Sequence, residues 1–390
     1  MTSGRILITC PRRIPPFLKE ELFQLGFPVL GEAAGYVETQ GTLYDTMRLN
    51  LFLRTGQRVL FLINEFTAST PDELYRGISR IGWEDFINLD EYLSVSSSVD
   101  NPMITDTRFA NLKCKDAIVD RFVRKYGRRP DSGPRKSHTA LFLYWRGDQA
   151  SMYLDTSGEP LSKRGYRKLP FKAPMQETLA AAVIQAAEWH GEGNFINPMC
   201  GSGTLAIEAA LIALGRAAGL LRRNFSFMHL KGFDQKVWAE LRREARLAAK
   251  KSFPGRIIAT DINTEALESA RRNAATAGVD HLIDFGLGDY TETQVPEGGG
   301  IIVLNPEYGE RLGKVRELEG IYKGIGDFMK QKGRGYRGYV FTGNLDLAKK
   351  IGLRAKRRIP LFNGKIDCRL LEYELYEGSR RGSRVQNPAG

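Results

Sequence analysis

The sequence predicts an α/β chain in which a Rossmann-like, mostly parallel sheet fills the second half and two smaller α+β units precede it. Three observations carry this. From Met175 onward, short apolar runs alternate with longer helical stretches, the rhythm of βαβ crossovers that build a parallel sheet covered on both faces. Before residue 155, strands and helices alternate in two rounds, which suggests two separate small units. Between these halves, residues 156–172 form a basic connector rich in Gly, Pro, Lys and Arg.

Taken in order, Arg5 to Cys10 reads as a strand and Pro15 to Leu25 as a helix, with Pro at the start where a missing N–H does no harm. Tyr36 to Thr39 is β-like, Leu43 to Leu53 helical, and Gln57 to Glu65 β again. The second round is the helix Pro71 to Ile81, the strand Tyr92 to Val99 and the helix Lys113 to Tyr126. Thr139 to Arg146 and Gln149 to Asp155 form a hairpin about Gly147-Asp148. After the connector, the strand candidates are Phe195-Ile196, Ile257 to Thr260, Ile283 to Phe285, Ile301 to Leu304 and Tyr339 to Thr342. Leu353 to Tyr376 holds two further runs about Asn363-Gly364, a hairpin signal. Residues 379–390 are polar and basic and are expected to be a disordered tail.

Composition narrows the function classes. Of 390 residues, 42% are hydrophobic and 26% charged, enough apolar material for real cores and against disorder. The net charge of +12 favours a polyanionic partner. No apolar run approaches the roughly 20 residues a spanning helix needs, and the N-terminal residues carry no basic-then-apolar leader. A cytoplasmic location and no membrane partner are expected. Cys10, Cys114, Cys200 and Cys368 are scattered, as are His138, His190, His229 and His281, so neither a disulfide framework nor a metal site is expected.

Asn197-Pro198-Met199-Cys200-Gly201-Ser202-Gly203-Thr204 follows an apolar strand and opens the helix Leu205 to Leu214. Glycines there let the backbone turn sharply and approach a ligand closely. The Gly-Lys-Ser/Thr end of a phosphate loop is missing, so a nucleoside fits better than a polyphosphate. Asp261 closes the next strand, where an acid accepts from ribose hydroxyls, and Asp289 closes the third, where it can accept from an adenine amino group. Thr204 and Asp261 lie farther apart than the about 20 residues of a simple dinucleotide fold. The insert, about Arg216 to Lys251, carries a helix rich in Arg, Lys and Ala.

Asn305-Pro306-Glu307-Tyr308 follows the apolar strand Gly300 to Leu304 and resembles the (Asn/Asp)-Pro-Pro-(Tyr/Phe) motif of amino-group methyltransferases, with Glu307 in place of the second proline. An exocyclic amine on a purine shares its lone pair with the ring and is a poor nucleophile. The Asn305 side-chain oxygen and the Pro306 carbonyl can hold its two hydrogens and aim the lone pair at a methyl group. Tyr308 can stack on an extruded base, and Glu307 can take the released proton. Positioning and electrostatics then do most of the catalysis.

With these motifs stand Leu154 to Leu161, Lys163 to Arg167, Ala173 to Ala180, Tyr308 to Leu312, Phe341 to Asn344 and Asn363-Gly364. In them the chain resembles the bacterial 23S ribosomal RNA guanine-N2 methyltransferases that carry a THUMP domain, often labelled N6-adenine-specific DNA methylases. The resemblance covers nearly the whole chain, most strongly from 154 to 376. It implies S-adenosylmethionine as donor and a class I methyltransferase sheet of seven strands with an antiparallel last strand. It also implies a ferredoxin-like unit over 1–60, a THUMP unit over 61–155 and the methyltransferase domain over 173–378. Glu177 and Thr178 would lie over the donor's methionine end. Gly201, Ser202 and Gly203 would pass beneath it within the loop from Asn197 through Pro198, Met199 and Cys200. Asp261 with Ile262 would hold the ribose side, Asp289 the adenine, and Asn305 would border the donor. Asn197 stands where the family usually has Asp, and Lys163 where His is common.

Residues 108–136 contain ten Lys or Arg against three acids. Lys113, Arg121, Arg124, Lys125, Arg128, Arg129, Arg135 and Lys136, with Lys163, Arg164 and Arg167 of the connector, are the candidate RNA contacts, and Phe109, Tyr126, Tyr166 and Phe171 the stacking platforms. The expected activity is methyl transfer to an exocyclic amine, guanine N2 of large-subunit rRNA. The alternatives are adenine methylation in DNA and a ribosome-assembly factor that binds RNA without turnover. Cys200 and Cys368 could suggest the covalent route of carbon methylation, but packing is the commoner use. Oligomeric state is not legible.

Overall fold

A computed structural model describes residues 3–104, 106–168, 175–308 and 315–376. The chain divides into two units: residues 1–167, 176–182 and 215–251 form the first, and 168–175, 183–214 and 252–390 the second. Among the described residues no helix is long and apolar enough to cross a membrane.

The first unit is built on one seven-stranded sheet. Its strands are β1 (Gly4–Thr9), β2 (Gly31–Ala33), β3 (Tyr36–Gly41), β4 (Arg58–Thr67), β5 (Leu93–Asp100), β6 (Thr139–Arg146) and β7 (Gln149–Asp155), in the order β2-β3-β1-β4-β7-β6-β5. The sequence divides this region in two, yet the sheet is continuous. Strand β4 runs across the expected boundary and pairs with β1 on one side and β7 on the other, with a register shift between Leu62 and Asn64. Residues of opposite parity face different surroundings, as a half-covered sheet requires. Leu141, Leu143 and Trp145 are buried, whereas Phe142 and Tyr144 on the other face are half-buried.

Local chemistry sets the element ends. Thr42 with Asp45, and Thr70 with Glu73, form reciprocal capping boxes for the helices Leu43–Phe52 and Pro71–Arg80. The helix Thr107–Tyr126 starts six residues before the expected Lys113, because the Asp106 side chain caps it by accepting from the Arg108 amide. Gly127, at φ 65°, ends it in the left-handed conformation. Strand β2 has only three residues and no apolar alternation, so it gives no sequence signal.

The segment 215–251 packs in the first unit, although the sequence places it inside the methyltransferase domain. Ser226 Oγ accepts from the Ala140 amide at 2.8 Å, the Phe227 amide donates to Thr156 O at 3.0 Å, and Arg222 donates to Pro160 O at 2.7 Å. Asp155, at the end of β7, is fully buried and paired with Arg58. Burial pushes its carboxyl up, while Arg58 and the Gly158 amide pull the other way. Glu84 accepts from Arg121 at 2.7 and 2.8 Å, and Arg121 with Lys125 pulls its carboxyl well below the usual range. A depressed carboxyl stabilises the fold fully above its unfolded pKa of about 4.3 and loses that contribution as pH falls toward the folded value. Glu84→Gln is therefore expected to cost about 1 kcal/mol at neutral pH, discounted for screening. It should also flatten stability against pH below about 4.3 in urea titrations; an unchanged acid limb would refute the pairing.

The second unit contains β8 (Asn194–Pro198), β9 (Ile257–Asp261), β10 (Ile283–Leu287), β11 (Gly300–Leu304), β12 (Tyr336–Thr342), β13 (Arg357–Asn363) and β14 (Ile366–Glu374). Their order is β10-β9-β8-β11-β12-β14-β13. Strands β10, β9, β8, β11 and β12 run parallel, and β14 is antiparallel to both β12 and β13. This is the seven-stranded sheet with an antiparallel last strand expected above, and Gly364, at φ 61°, turns its terminal hairpin. Ile196, Ile302, Leu304, Tyr322, Ile325 and Val340 anchor its main core cluster. The order reverses between β8 and β11, so the crevice outside their carboxyl ends is the natural ligand position of such a sheet.

Candidate active site

Strand β8 delivers its loop into that crevice through three left-handed residues, Met199 (φ 58°), Gly201 (φ 54°) and Gly203 (φ 79°). The two glycines serve different ends. A Cβ on Gly203 would stand 2.9 Å from Ala270 Cβ, so this glycine lets the helix Thr204–Ala213 approach the helix Thr264–Ala277. A Cβ on Gly201 would meet nothing within 4 Å, so its backbone borders open space. Met199 pays roughly 1–2 kcal/mol for a conformation that disfavours a Cβ. Such strain is most often kept where a loop must hold a functional shape.

Asn197 is fully buried, and its Nδ2 donates to Val303 O of β11 at 2.9 Å. An ionised Asp at this position would set a carboxylate against that carbonyl, so the amide is the better partner here. Its Oδ1 is buried and makes no hydrogen bond among the described residues. Pro198 is buried and ends β8, and the Cys200 amide donates to Thr260 O at 2.9 Å. Asp261 Oδ2 accepts from the Gly201 amide at 2.8 Å and Oδ1 from the Asn263 amide at 2.9 Å. These bonds tie the β8 loop to the end of β9 and leave each carboxylate oxygen further lone pairs. Ile262 is 72% exposed and Leu287, register partner of Asp261, is 60% exposed, so two bare aliphatic side chains stand at adjoining strand ends. Asp289 caps the next turn by accepting from Thr291 N at 2.9 Å. A separate cleft of about 370 Å³ opens along β9 and β10 and includes Asp289, but neither the β8 loop nor Asn305 lines it.

Asn305, half-buried, follows β11 directly. Its Oδ1 accepts from Tyr308 Oη at 2.7 Å. The Tyr308 ring packs edge-on against Phe341, with centroids 6.2 Å apart, and Asn344 Nδ2 donates to its carbonyl at 3.1 Å. The hydroxyl is pushed above the ordinary range by burial. Tyr308 thus braces Asn305, a role beyond the base stacking expected of its ring. A Cβ on Gly343 would stand 3.2 Å from that ring, and Tyr322 Oη donates to Glu307 O at 3.2 Å. Pro306 is buried and Glu307 exposed. The signal for Gly343 and Asn344 lay in the Phe341 to Asn344 run, which carried no assigned role. Residues 309–312 of the resemblance, Ala173, Pro174, Phe171 and the tail 379–390 lie outside the described residues.

Glu177 and Thr178 belong to the first unit, where Glu177 accepts from Arg167 Nε at 3.1 Å. Burial raises the Cys200 and Cys368 thiols, which argues against a thiolate nucleophile. Three of the candidate RNA contacts are engaged by partners within the protein. Arg164 is buried and donates to Leu161 O at 2.9 Å, Arg121 is clamped on Glu84, and Arg167 is held by Glu177. Tyr166 is buried and cannot stack on a base. The sequence could not separate these from solvated charges, because a guanidinium serves equally well on carbonyls and on phosphates. Arg124, Lys125, Arg128, Arg129 and Arg135 are exposed, as are Phe109 and Tyr126. Lys136 is half-buried, Lys113 pairs with Asp72 at 3.3 Å, and exposed Lys163 pairs with Glu159.

Comparison with known proteins places these features in context. Residues 164–372 match the family described as RMKL-like, methyltransferase domain. Residues 5–60 match the RlmL ferredoxin-like domain and 68–155 the THUMP domain. The chain is 38% identical over 384 residues to the ribosomal RNA large subunit methyltransferase K/L of Syntrophotalea carbinolica, covering 96% of this chain and 54% of that protein. It is 36% identical over 373 residues to the enzyme of the same name from Psychromonas ingrahamii, covering 94% and 50%. The chain thus spans about half the length of these relatives. A solved structure from Listeria monocytogenes, labelled an N6-adenine-specific DNA methylase, superimposes with TM-score 0.86 at 32% identity, over 96% of this chain and 97% of that one. The methyltransferase SMU.472, solved with SAH, superimposes with TM-score 0.87 at 27% identity, over 97% of this chain and 100% of that one.

Proposed function

The chain belongs to the RMKL-like methyltransferase family, and from that premise we propose that it transfers a methyl group from S-adenosylmethionine to N2 of a guanine in 23S ribosomal RNA. The observation that carries this reading is the departure of the Asn197–Gly203 loop and the Asn305–Tyr308 segment from two neighbouring strands at one sheet edge. The names of the relatives support ribosomal RNA as substrate, and the SAH in the SMU.472 structure supports the donor.

The residues fit such a donor. Asn197 Oδ1 is an acceptor with no donor among the described residues, Gly201 leaves space, and Asp261 offers its lone pairs to ribose hydroxyls. Ile262 and Leu287 offer apolar contact to a purine, and Asp289 an acceptor for its amino group. When bound, the donor supplies an electrophilic methyl on a sulfonium. Asn305 Oδ1, braced by Tyr308, and the Pro306 carbonyl accept the two hydrogens of the target amine and leave its lone pair facing the donor. Glu307, exposed beside them, is placed to receive the proton shed after transfer.

The exposed arginines of the first unit hold the RNA in this reading. The triple change Arg128→Ala, Arg129→Ala and Arg135→Ala should weaken rRNA binding and make its salt dependence shallower, by roughly one unit of slope per lost phosphate contact. An unchanged slope in filter binding would exclude this face. The activity itself is tested by combining calorimetry of the donor with radiolabelled methyl transfer to rRNA, tRNA and DNA, then nucleoside mass spectrometry. The expected product is N2-methylguanosine in 23S rRNA. N6-methyladenine in DNA would overturn the substrate assignment, and donor binding with no acceptor would favour a non-catalytic assembly factor.

A further inference from the structure

We propose that Glu91, His138 and His229 form a binding site for a divalent transition metal, with zinc the best match to the donor set. The three come from separate stretches of the first unit: Glu91 precedes β5, His138 precedes β6, and His229 lies in the turn Ser226–His229 of the returning segment. One ligand atom from each lies within 4.8 Å of the other two. The first unit contains all three, so the site stands independently of the methyl-transfer reading.

Hydrogen bonding fixes which atoms are free. Asn224 Nδ2 donates to Ser137 O at 2.7 Å, so its Oδ1 is the atom presented to His229 Nε2, 2.8 Å away. That oxygen can only accept, so Nε2 carries the proton. The Nδ1 lone pair then faces Glu91 Oε2 at 3.3 Å. Oε2 is itself cut off from solvent and makes no hydrogen bond among the described residues. Two acceptors thus face each other at this distance. A second proton on His229 would reconcile this pair without engaging His138, whose Nδ1 stands 3.0 Å from Ser137 Oγ, whereas a cation can draw on all three residues. The Glu91–His229 spacing suits zinc: bonds of about 2.0–2.1 Å in a tetrahedron set neighbouring ligand atoms about 3.3 Å apart. Two imidazoles and a carboxylate, with a fourth position for water, form a donor set that zinc accepts. Asn224 then acts as the outer partner that sets the tautomer and ring orientation of a ligating histidine.

The bound ion would pin the returning segment to the sheet at His229. It would also steady the basic loop that carries Arg128, Arg129 and Arg135, since Arg135 stacks on Tyr92, next to Glu91, at 5.0 Å from its ring centre.

The test uses the full chain after chelator treatment. Zinc titration by calorimetry should show one saturable site, and zinc should raise the melting temperature. Cobalt should give tetrahedral visible bands without the thiolate charge-transfer band that binding at any of the four cysteines would produce. Glu91→Gln and His138→Gln should each weaken zinc binding by roughly tenfold or more. Their metal-free melting temperatures report whether they fold. Should one variant fail to fold, the other and the cobalt spectrum of the parent still decide. Absence of a saturable site, a thiolate band, or undiminished affinity in a folded variant would overturn the proposal.

Discussion

Asn305→Ala is expected to lower methyl transfer by about 10²–10³-fold while leaving donor affinity nearly unchanged. Its side chain touches the acceptor amine and not the donor's binding groups in the proposed reaction, so the loss falls on the chemical step. Single-turnover transfer and donor calorimetry on the same preparation separate the two. Tyr308→Phe supplies the graded control: it keeps the ring against Phe341 but removes the hydroxyl that holds Asn305 Oδ1 at 2.7 Å. A partial loss with unchanged donor binding marks Tyr308 as a positioning residue, whereas full activity in Asn305→Ala would remove the basis of the proposed chemistry.

Arg58→Met is the largest expected loss of stability, about 3–5 kcal/mol. Asp155 is fully buried, and among the described residues its other hydrogen-bond donors are the Ser157 and Gly158 amides at Oδ1, at 3.2 and 3.0 Å. Without the guanidinium, burial raises the carboxyl further, so the folded variant binds a proton that the unfolded chain releases. Stability of the variant should then rise as pH is lowered toward the unfolded pKa of about 3.9, opposite in sign to the loss from the Glu84 pairing. Urea unfolding at several pH values reads this directly, and a variant as stable as the parent at neutral pH would show that the pair contributes nothing.

Much of the fold was legible because periodicity and turn chemistry agree with the tertiary structure. The hairpin strands β6 and β7 have the expected bounds, and the glycine at each hairpin, Gly147 and Gly364, takes a positive φ. The strand ends bearing Asp261, Asp289 and Asn305 were equally readable, because an acid or amide after a short apolar run stands out. What escaped was long-range. The run of β4 across an expected boundary depends on pairing with β1 and β7, which no local pattern encodes. The burial of Arg164 and the clamping of Arg121 depend on carbonyls and a carboxylate far away in the chain. His138 and His229 read as dispersed because they stand 91 positions apart, and only the fold brings their rings to 4.7 Å.

The return of residues 215–251 to the first unit has a bearing on how the polypeptide is made. A nascent front half ending near residue 167 still lacks Ser226 for the Ala140 amide and the Phe227 amide for Thr156 O. The ribosome must therefore deliver some 80 further residues, including the β8 strand and its glycine loop, before the N-terminal portion can settle. Vectorial synthesis cannot finish one module and then begin the next; a stretch of the second is threaded through the assembly time of the first.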